Sequence, residues 1–189
     1  MSNHPFPSLS GQFLVAMPHM EDPRFRGAVI LVLDHREAGA LGVVINDPVE
    51  NFSFYDLLKE LNIDHNHKIP DHSLLRGGPV KPVRGFVLHR AAEQHPHSEQ
   101  INEDFAWSFS VDILRDIVAR RGPSLYRLAL GSAGWEEGQL EAEIGENDWL
   151  VAPASPDLVF SDNPEQVWHQ VFMRLGIEPS QMMERTGDA

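Results

Sequence analysis

The chain has no cysteine among its 189 residues, which removes disulfides, thiolate nucleophiles, iron–sulfur ligation and thiolate zinc sites together. It also lacks long apolar runs. Ala28–Leu33, the longest aliphatic stretch, is six residues, against the roughly 20 that span a bilayer. The opening Met1-Ser2-Asn3-His4-Pro5 has no basic leader and no apolar segment of signal-peptide length, so a cytoplasmic protein without membrane contact is expected. Internal repeats, low-complexity tracts and dividing linkers are missing too. Gly-x-Gly-x-x-Gly, Gly-Lys-Ser/Thr and His-Glu-x-x-His do not occur, which leaves no dinucleotide fingerprint, phosphate loop or zinc-protease helix. Neither a cofactor nor a metal is expected.

What is present suits one packed domain. The apolar share is 42% with 8% aromatic, near the globular average, and a chain of this length buries about 70% of its unfolded surface. Charge is unevenly placed. The formal net charge is −13, with 9 Lys/Arg against 11 Asp/Glu in residues 1–95 and 6 against 17 in residues 96–189. Such a surface repels phosphate backbones, so direct nucleic-acid binding is not expected. One segment runs the other way: from His72 to Ala92 there is no acidic residue, yet Arg76, Lys81, Arg84 and Arg90 lie there.

Gln12–Met17, Ala28–Leu33 and Leu41–Ile45 read as buried strands, with a hairpin-like return at Glu37–Ala40 that argues against a purely parallel sheet. Further strands are expected at Phe86–Leu88, Phe105–Phe109, Leu125–Leu130 and Trp149–Val151, with a brief one near Leu158–Phe160. Ser53 caps a helix over Phe54–Leu61, and Ser110 caps one whose Ile113, Leu114, Ile117 and Val118 face the core before Gly122-Pro123. A short helix fits Gly138–Ile144. The last helix is the best signalled: Asp162 or Asn163 caps it, Pro164 opens it, and Val167, Trp168, Val171, Phe172 and Leu175 share a face before Gly176. Residues 1–8 are expected to be flexible, 9–176 to form the domain, and 177–189 to be loosely held.

Leu74-Leu75-Arg76-Gly77-Gly78-Pro79-Val80 sets two glycines and a fixed bend after an apolar pair. Successive backbone N–H groups in such a turn can cradle an anion, and the nearby cations would strengthen it; the plainer reading is a tight turn needing positive φ. His65, His67, His72, His95 and His97 fall in loops, where solvation is a simpler account than metal binding. His89 ends a strand and suits burial or a pocket wall. Ser132 lacks the flanking glycine of a nucleophile elbow, since Leu130 stands two residues before it. Glu136, Glu137, Glu141, Glu143 and Glu146 crowd one short helix, where a wet face is the simpler account than paired acid–base carboxylates. Trp135, Gln139 and Trp149 could flank a ligand or fill the core.

Taken together, several segments resemble the AlgH/YqgE family of bacterial proteins. They are Gly11-Gln12-Phe13-Leu14-Val15-Ala16-Met17-Pro18, Phe25, Gly39-Ala40-Leu41-Gly42-Val43-Val44-Ile45-Asn46, Gly77-Gly78-Pro79-Val80 and Arg84-Gly85-Phe86-Val87-Leu88-His89. Gly131 with Ala133-Gly134-Trp135, Gly138-Gln139-Leu140-Glu141, Glu143-Ile144 and Trp149-Leu150 complete the set. The resemblance covers residues 9 to 176. It implies a single mixed α/β (α+β) domain with a curved or split mixed sheet forming a barrel-like body flanked by helices, without an established active site; some members are named as transcriptional regulators. Asp47 and Ser132 depart from the family's pattern.

Two functions compete. One is a non-enzymatic regulatory or adaptor protein acting through a protein partner, which the family's naming suggests and the charge permits. The other is a small-molecule binder or enzyme that holds a phosphate or carboxylate at the basic Gly-Gly-Pro segment, with Asn46, Arg76, Gly77, Gly78, Arg84 and His89 as the contacts. A hydrolase built on the glutamates ranks last.

Overall fold

The computed structural model describes residues 7–65 and 69–183. Its first strands are β1 (Gln12–Ala16), β2 (Val29–Arg36) and β3 (Gly39–Val44), each antiparallel to the next. Their runs are almost wholly apolar because both faces of the sheet are covered. Phe13 and Val15 point into one core, Leu14 and Ala16 into another on the opposite face, as the two-residue side-chain period of a strand requires. Phe13, Leu14 and Val15, each fully buried, contribute about 1.5–3 kcal/mol apiece.

The remaining strands are β4 (Pro48–Ser53), β5 (Ser73–Arg76), β6 (Val80–Arg90), β7 (Glu99–Gln100), β8 (Phe105–Ser108), β9 (Tyr126–Glu136) and β10 (Trp149–Pro153). The order β10-β1-β2-β3-β9-β6-β8-β7, with β4 and β5 attached at β9, curls into a half-barrel of mainly antiparallel strands. The one parallel pair among the described residues is β5 with β9. Helices α1 (Phe54–Glu60) and α2 (Val111–Val118) close a third core against β5, β6 and β9. Helix α3 (Gln139–Gly145) covers the second core, while α4 (Pro156–Val159) and α5 (Val167–Leu175) cover the first. No helix among the described residues is long and apolar enough to cross a membrane.

Ser53 closes a full capping box with Asp56, and Ser110 accepts from the Asp112 amide, as their sequence positions predict. The expected strand at Leu158–Phe160 is instead the end of α4, with Leu158 and Val159 in the helix and Phe160 as its C-cap: Ser155 is extended and Pro156 occupies the first turn with its φ already helical. The segment expected to hang loosely after Gly176 carries α6 (Pro179–Met183), and Ile177 and Met182 pack on the first core. At the other end, Ser8, within the segment expected to be flexible, donates to the His35 carbonyl, and Leu9 N–H donates to His35 Nδ1.

Strand β9 runs on past Leu130, where the sequence suggests a stop. Its first half pairs with β5 and β6, and its second half with β3 and, through Ser132 and Val80, with β6 again. The two halves meet at Gly131, whose φ of 76° is open only to glycine without strain. There the Gly-Gly turn crosses it backbone on backbone. Gly77 N–H donates to the Leu130 carbonyl, and Val44 N–H to the Gly77 carbonyl, so the turn stitches the end of β3 to β9. A Cβ on Gly131 would lie 2.3 Å from the Gly78 carbonyl oxygen, and one on Gly77 2.4 Å from the Gly131 oxygen.

Gly131→Ala should therefore lower the unfolding free energy in urea by about 3 kcal/mol or prevent folding, whereas Gly85→Ala, with nothing within 4 Å of its added carbon, should change it by less than about 1 kcal/mol.

Candidate functional site

The six residues proposed from the sequence do not converge on one cavity. Asn46 is a staple: its Oδ1 accepts from Val29 N–H at 2.7 Å and its Nδ2 donates to the Gly27 carbonyl at 2.8 Å, tying the start of β2 to the end of β3. Arg76 pairs with Asp47 at 3.0 Å, both largely exposed. Asp47, one of the two positions that depart from the family pattern, thus supplies the countercharge. Arg76 and Gly78 line a cleft of about 440 Å³ together with Arg24, whose guanidinium is held by Asp22 at 2.6 Å. The Gly77 amide is already spent on Leu130, so it is not free to cradle an anion.

Arg84 and His89 lie elsewhere. Arg84 stacks 4.1 Å from the centroid of Phe109 and 5.7 Å from that of Phe86, a cation–π arrangement. It does not line the cleft that holds Arg76 and Gly78. His89 is fully buried. The Arg90 carbonyl, 2.9 Å from Nδ1, can only accept, so Nδ1 carries the proton and Nε2 accepts the Ser98 hydroxyl at 2.7 Å. A nucleophile–base pair has this appearance, but an imidazole sealed from solvent cannot pass its proton to a leaving group. Both nitrogens are satisfied, and the residue fastens β6 to the Ser98 loop.

The sequence gives no sign of what β6 does between its two pairings with β9. Val80 faces Ser132 and Gly85 faces Leu130, so residues 81–84 stand against Gly131 alone. The surplus bulges outward, with Lys81 at φ 47° and Pro82 packed on Gly131. Val83, at its crest, is 92% exposed. Val83, the half-exposed Phe109 and Val111 rim an apolar crevice of about 140 Å³ floored by Leu57, Leu114 and Leu128. Arg84 and Lys81 beside it make no ion pair among the described residues. An apolar patch edged by cations that have no carboxylate partner among the described residues therefore stands out of an anionic molecule.

The glutamate cluster has a structural core. Glu143 Oε2 accepts from the indole N–H of both Trp135 and Trp149 at 2.8 Å, and Oε1 from the Gln139 amide at 2.8 Å. Glu141 meets the buried His35 at 3.0 Å, while Glu136, Glu137 and Glu146 are exposed. Of the histidines expected in solvent, His95 is buried with Nε2 on Asp116 at 3.0 Å, and His72 is half-buried against Phe54 and Tyr126. His67 lies outside the described residues. Burial first of all pushes the pKa of His72 and His89 below the ordinary 6.5.

Comparison with known proteins accords with this architecture. A family model described as AlgH-like matches residues 13–180. A UPF0301 protein of Jannaschia sp. (strain CCS1) is 46% identical over 184 residues, covering 96% of this chain and 95% of that one. Another, from Vibrio parahaemolyticus, is 38% identical over 187 residues, covering 96% and 100%. The solution structure of the AlgH protein from Pseudomonas aeruginosa superposes with a TM-score of 0.77 at 38% identity, covering 100% of this chain and 98% of that one. A crystal structure of a protein from Corynebacterium diphtheriae gives 0.72 at 26% identity, covering 91% and 88%.

Glu143→Ala should cost about 3 kcal/mol, because it strands two buried indole donors, and should shift tryptophan emission; an unchanged urea midpoint would contradict the keystone role. The histidines predict an acid-side loss. The unfolded chain takes up protons near pH 6.5 while native His72 and His89 stay neutral, so stability present above that pH falls as pH drops towards their native pKa values. Urea unfolding at about pH 7.5 and about pH 5.5 should show the loss, and His89→Asn should reduce it by up to about 1.4 kcal/mol per pH unit.

Proposed function

The chain belongs to the AlgH-like family, and we propose that it acts as a non-enzymatic regulatory adaptor that docks a protein partner on the bulge of β6. The single observation behind this reading is Val83, held almost fully in solvent beside Phe109 over an apolar crevice. A bulged strand crest that spends a valine on water gains nothing for its own fold, and such patches mark interaction sites. Arg84 and Lys81 at its edge select the partner's chemistry: a segment that presents an apolar anchor for the crevice and carboxylates for the rim. The net charge of −13 opposes a nucleic-acid backbone in that role. The competing reading, a phosphate or carboxylate at the Gly-Gly-Pro segment, has less support, because Arg24 and Arg76 already have carboxylate partners.

A photo-crosslinker placed at Val83 in the cells that make the protein should yield one dominant protein adduct. The purified partner should lose about tenfold or more in affinity for Phe109→Glu, in line with removal of an interface anchor, with the melting temperature of the variant little changed. Equal affinity for Phe109→Glu and the parent chain, or a tight salt-sensitive complex with duplex DNA, would refute the proposal.

A further inference from the structure

A cavity of about 430 Å³, sharing no lining residue with the bulge crevice, opens between β4, β5, β9 and the 161–166 turn before α5. We infer that it is a binding site for a small hydroxycarboxylate, whose carboxylate is taken by Arg127 and whose hydroxyl donates to His72 Nε2.

Arg127 rises from β9 with its side chain only 18% exposed. Its Nη2 donates to the Phe160 and Ser161 carbonyls at 2.7 and 2.6 Å, which fixes the guanidinium plane in the cavity wall. The charge has one weak ion-pair partner among the described residues. The nearest carboxylate oxygen is that of Asp162 at 3.7 Å, on a side chain entirely in solvent, and no hydrogen bond occupies Nε among the described residues. A half-buried guanidinium without a close carboxylate is a standing demand for an oxyanion.

His72 makes the second demand. Its Nδ1 lies 3.3 Å from the Ser73 carbonyl, which can only accept, so Nδ1 bears the proton. Nε2 is then a bare acceptor, shielded from water, with no hydrogen-bond partner among the described residues. Stacking on Phe54 and edge contact with Tyr126 hold the ring in place. Burial and the Arg127 charge both keep this imidazole neutral at pH 7.5. An orphaned buried acceptor is costly, and supplying its donor returns that cost. Nε2 is shielded from water on a residue that lines the cavity, so the hydroxyl reaches it only as the lining moves aside.

The rest of the cavity narrows the ligand class. Its volume suits a small molecule, and Ser73, Ser161 and Asn163 offer further polar contacts. Asp162 and Glu165 at the mouth repel a multiply charged phosphate more than a single carboxylate. One oxyanion with a neighbouring hydroxyl is the chemistry that meets both demands.

The test is amide NMR titration of the full chain with L-lactate and with propionate, the same skeleton without the hydroxyl. Lactate should perturb the amides of Ser73, Arg127 and residues 161–166 with a Kd in the low millimolar range, about tenfold or more below that of propionate. His72→Phe, which keeps the stacked ring, should erase that ratio, and Arg127→Gln should abolish both responses. Arg127 also braces two carbonyls, so if that variant does not fold, the His72→Phe ratio decides alone. Silent cavity amides at about 50 mM lactate, equal binding of the two acids, or an undiminished ratio in His72→Phe would each overturn the inference.

Discussion

Everything in this molecule is arranged around one backbone crossing. Strand β9 serves two groups of strands, and it can do so only by turning at Gly131, where the Gly77-Gly78 turn lies against it with no room for a side chain. That crossing joins the β1–β2–β3–β10 half to the β5–β6–β8 half. It sets the two faces on which three separate cores form. A basic glycine turn that invites an anion-binding interpretation in the sequence is thus principally a packing device.

The same crossing produces the surface that the proposed function uses. Because residues 81–84 have only Gly131 opposite them, β6 must shed its surplus length outward, and Val83 and Arg84 are carried to the crest. The cationic segment keeps its sign within an acidic protein, but its charges divide. Arg76 is matched to Asp47, and Arg84 is turned over Phe109. The cavity at Arg127 and His72 is built from the opposite logic: there the fold fixes a guanidinium whose carboxylate partner is distant and in solvent, beside an imidazole nitrogen with no hydrogen-bond partner among the described residues.

Much of the framework was legible because local signals suffice for it. The β1, β2 and β3 runs, the Ser53 and Ser110 caps, the apolar face and Gly176 end of α5 and the amphipathic face of α2 all follow from periodicity and capping within a few residues, whereas Pro164–Gln166 is a 3-10 turn without a side-chain cap from Asn163 and the α-helix begins only at Val167. The misses have a common cause. Strand β4 and the four-residue β5 carry Glu50, Asn51 and Arg76 in exposed positions, so no alternation announces them. Leu158–Phe160 has strand composition, but Pro156 fixes a helical turn first. His72 and His95 sit in loop-like sequence and are covered only by elements distant along the chain.

By itself the sequence determined the fold class, the alternating faces of each element, the helix ends and the anionic balance with its one basic segment, because those depend on residue type and on neighbours a few positions away. The tertiary structure alone decided which charges are neutralised, which glycines bear backbone contact, that β6 bulges, and that Arg127 and His72 face one cavity. Those depend on register between strands far apart in the chain: one residue of slip in an antiparallel pair exchanges the buried and exposed faces.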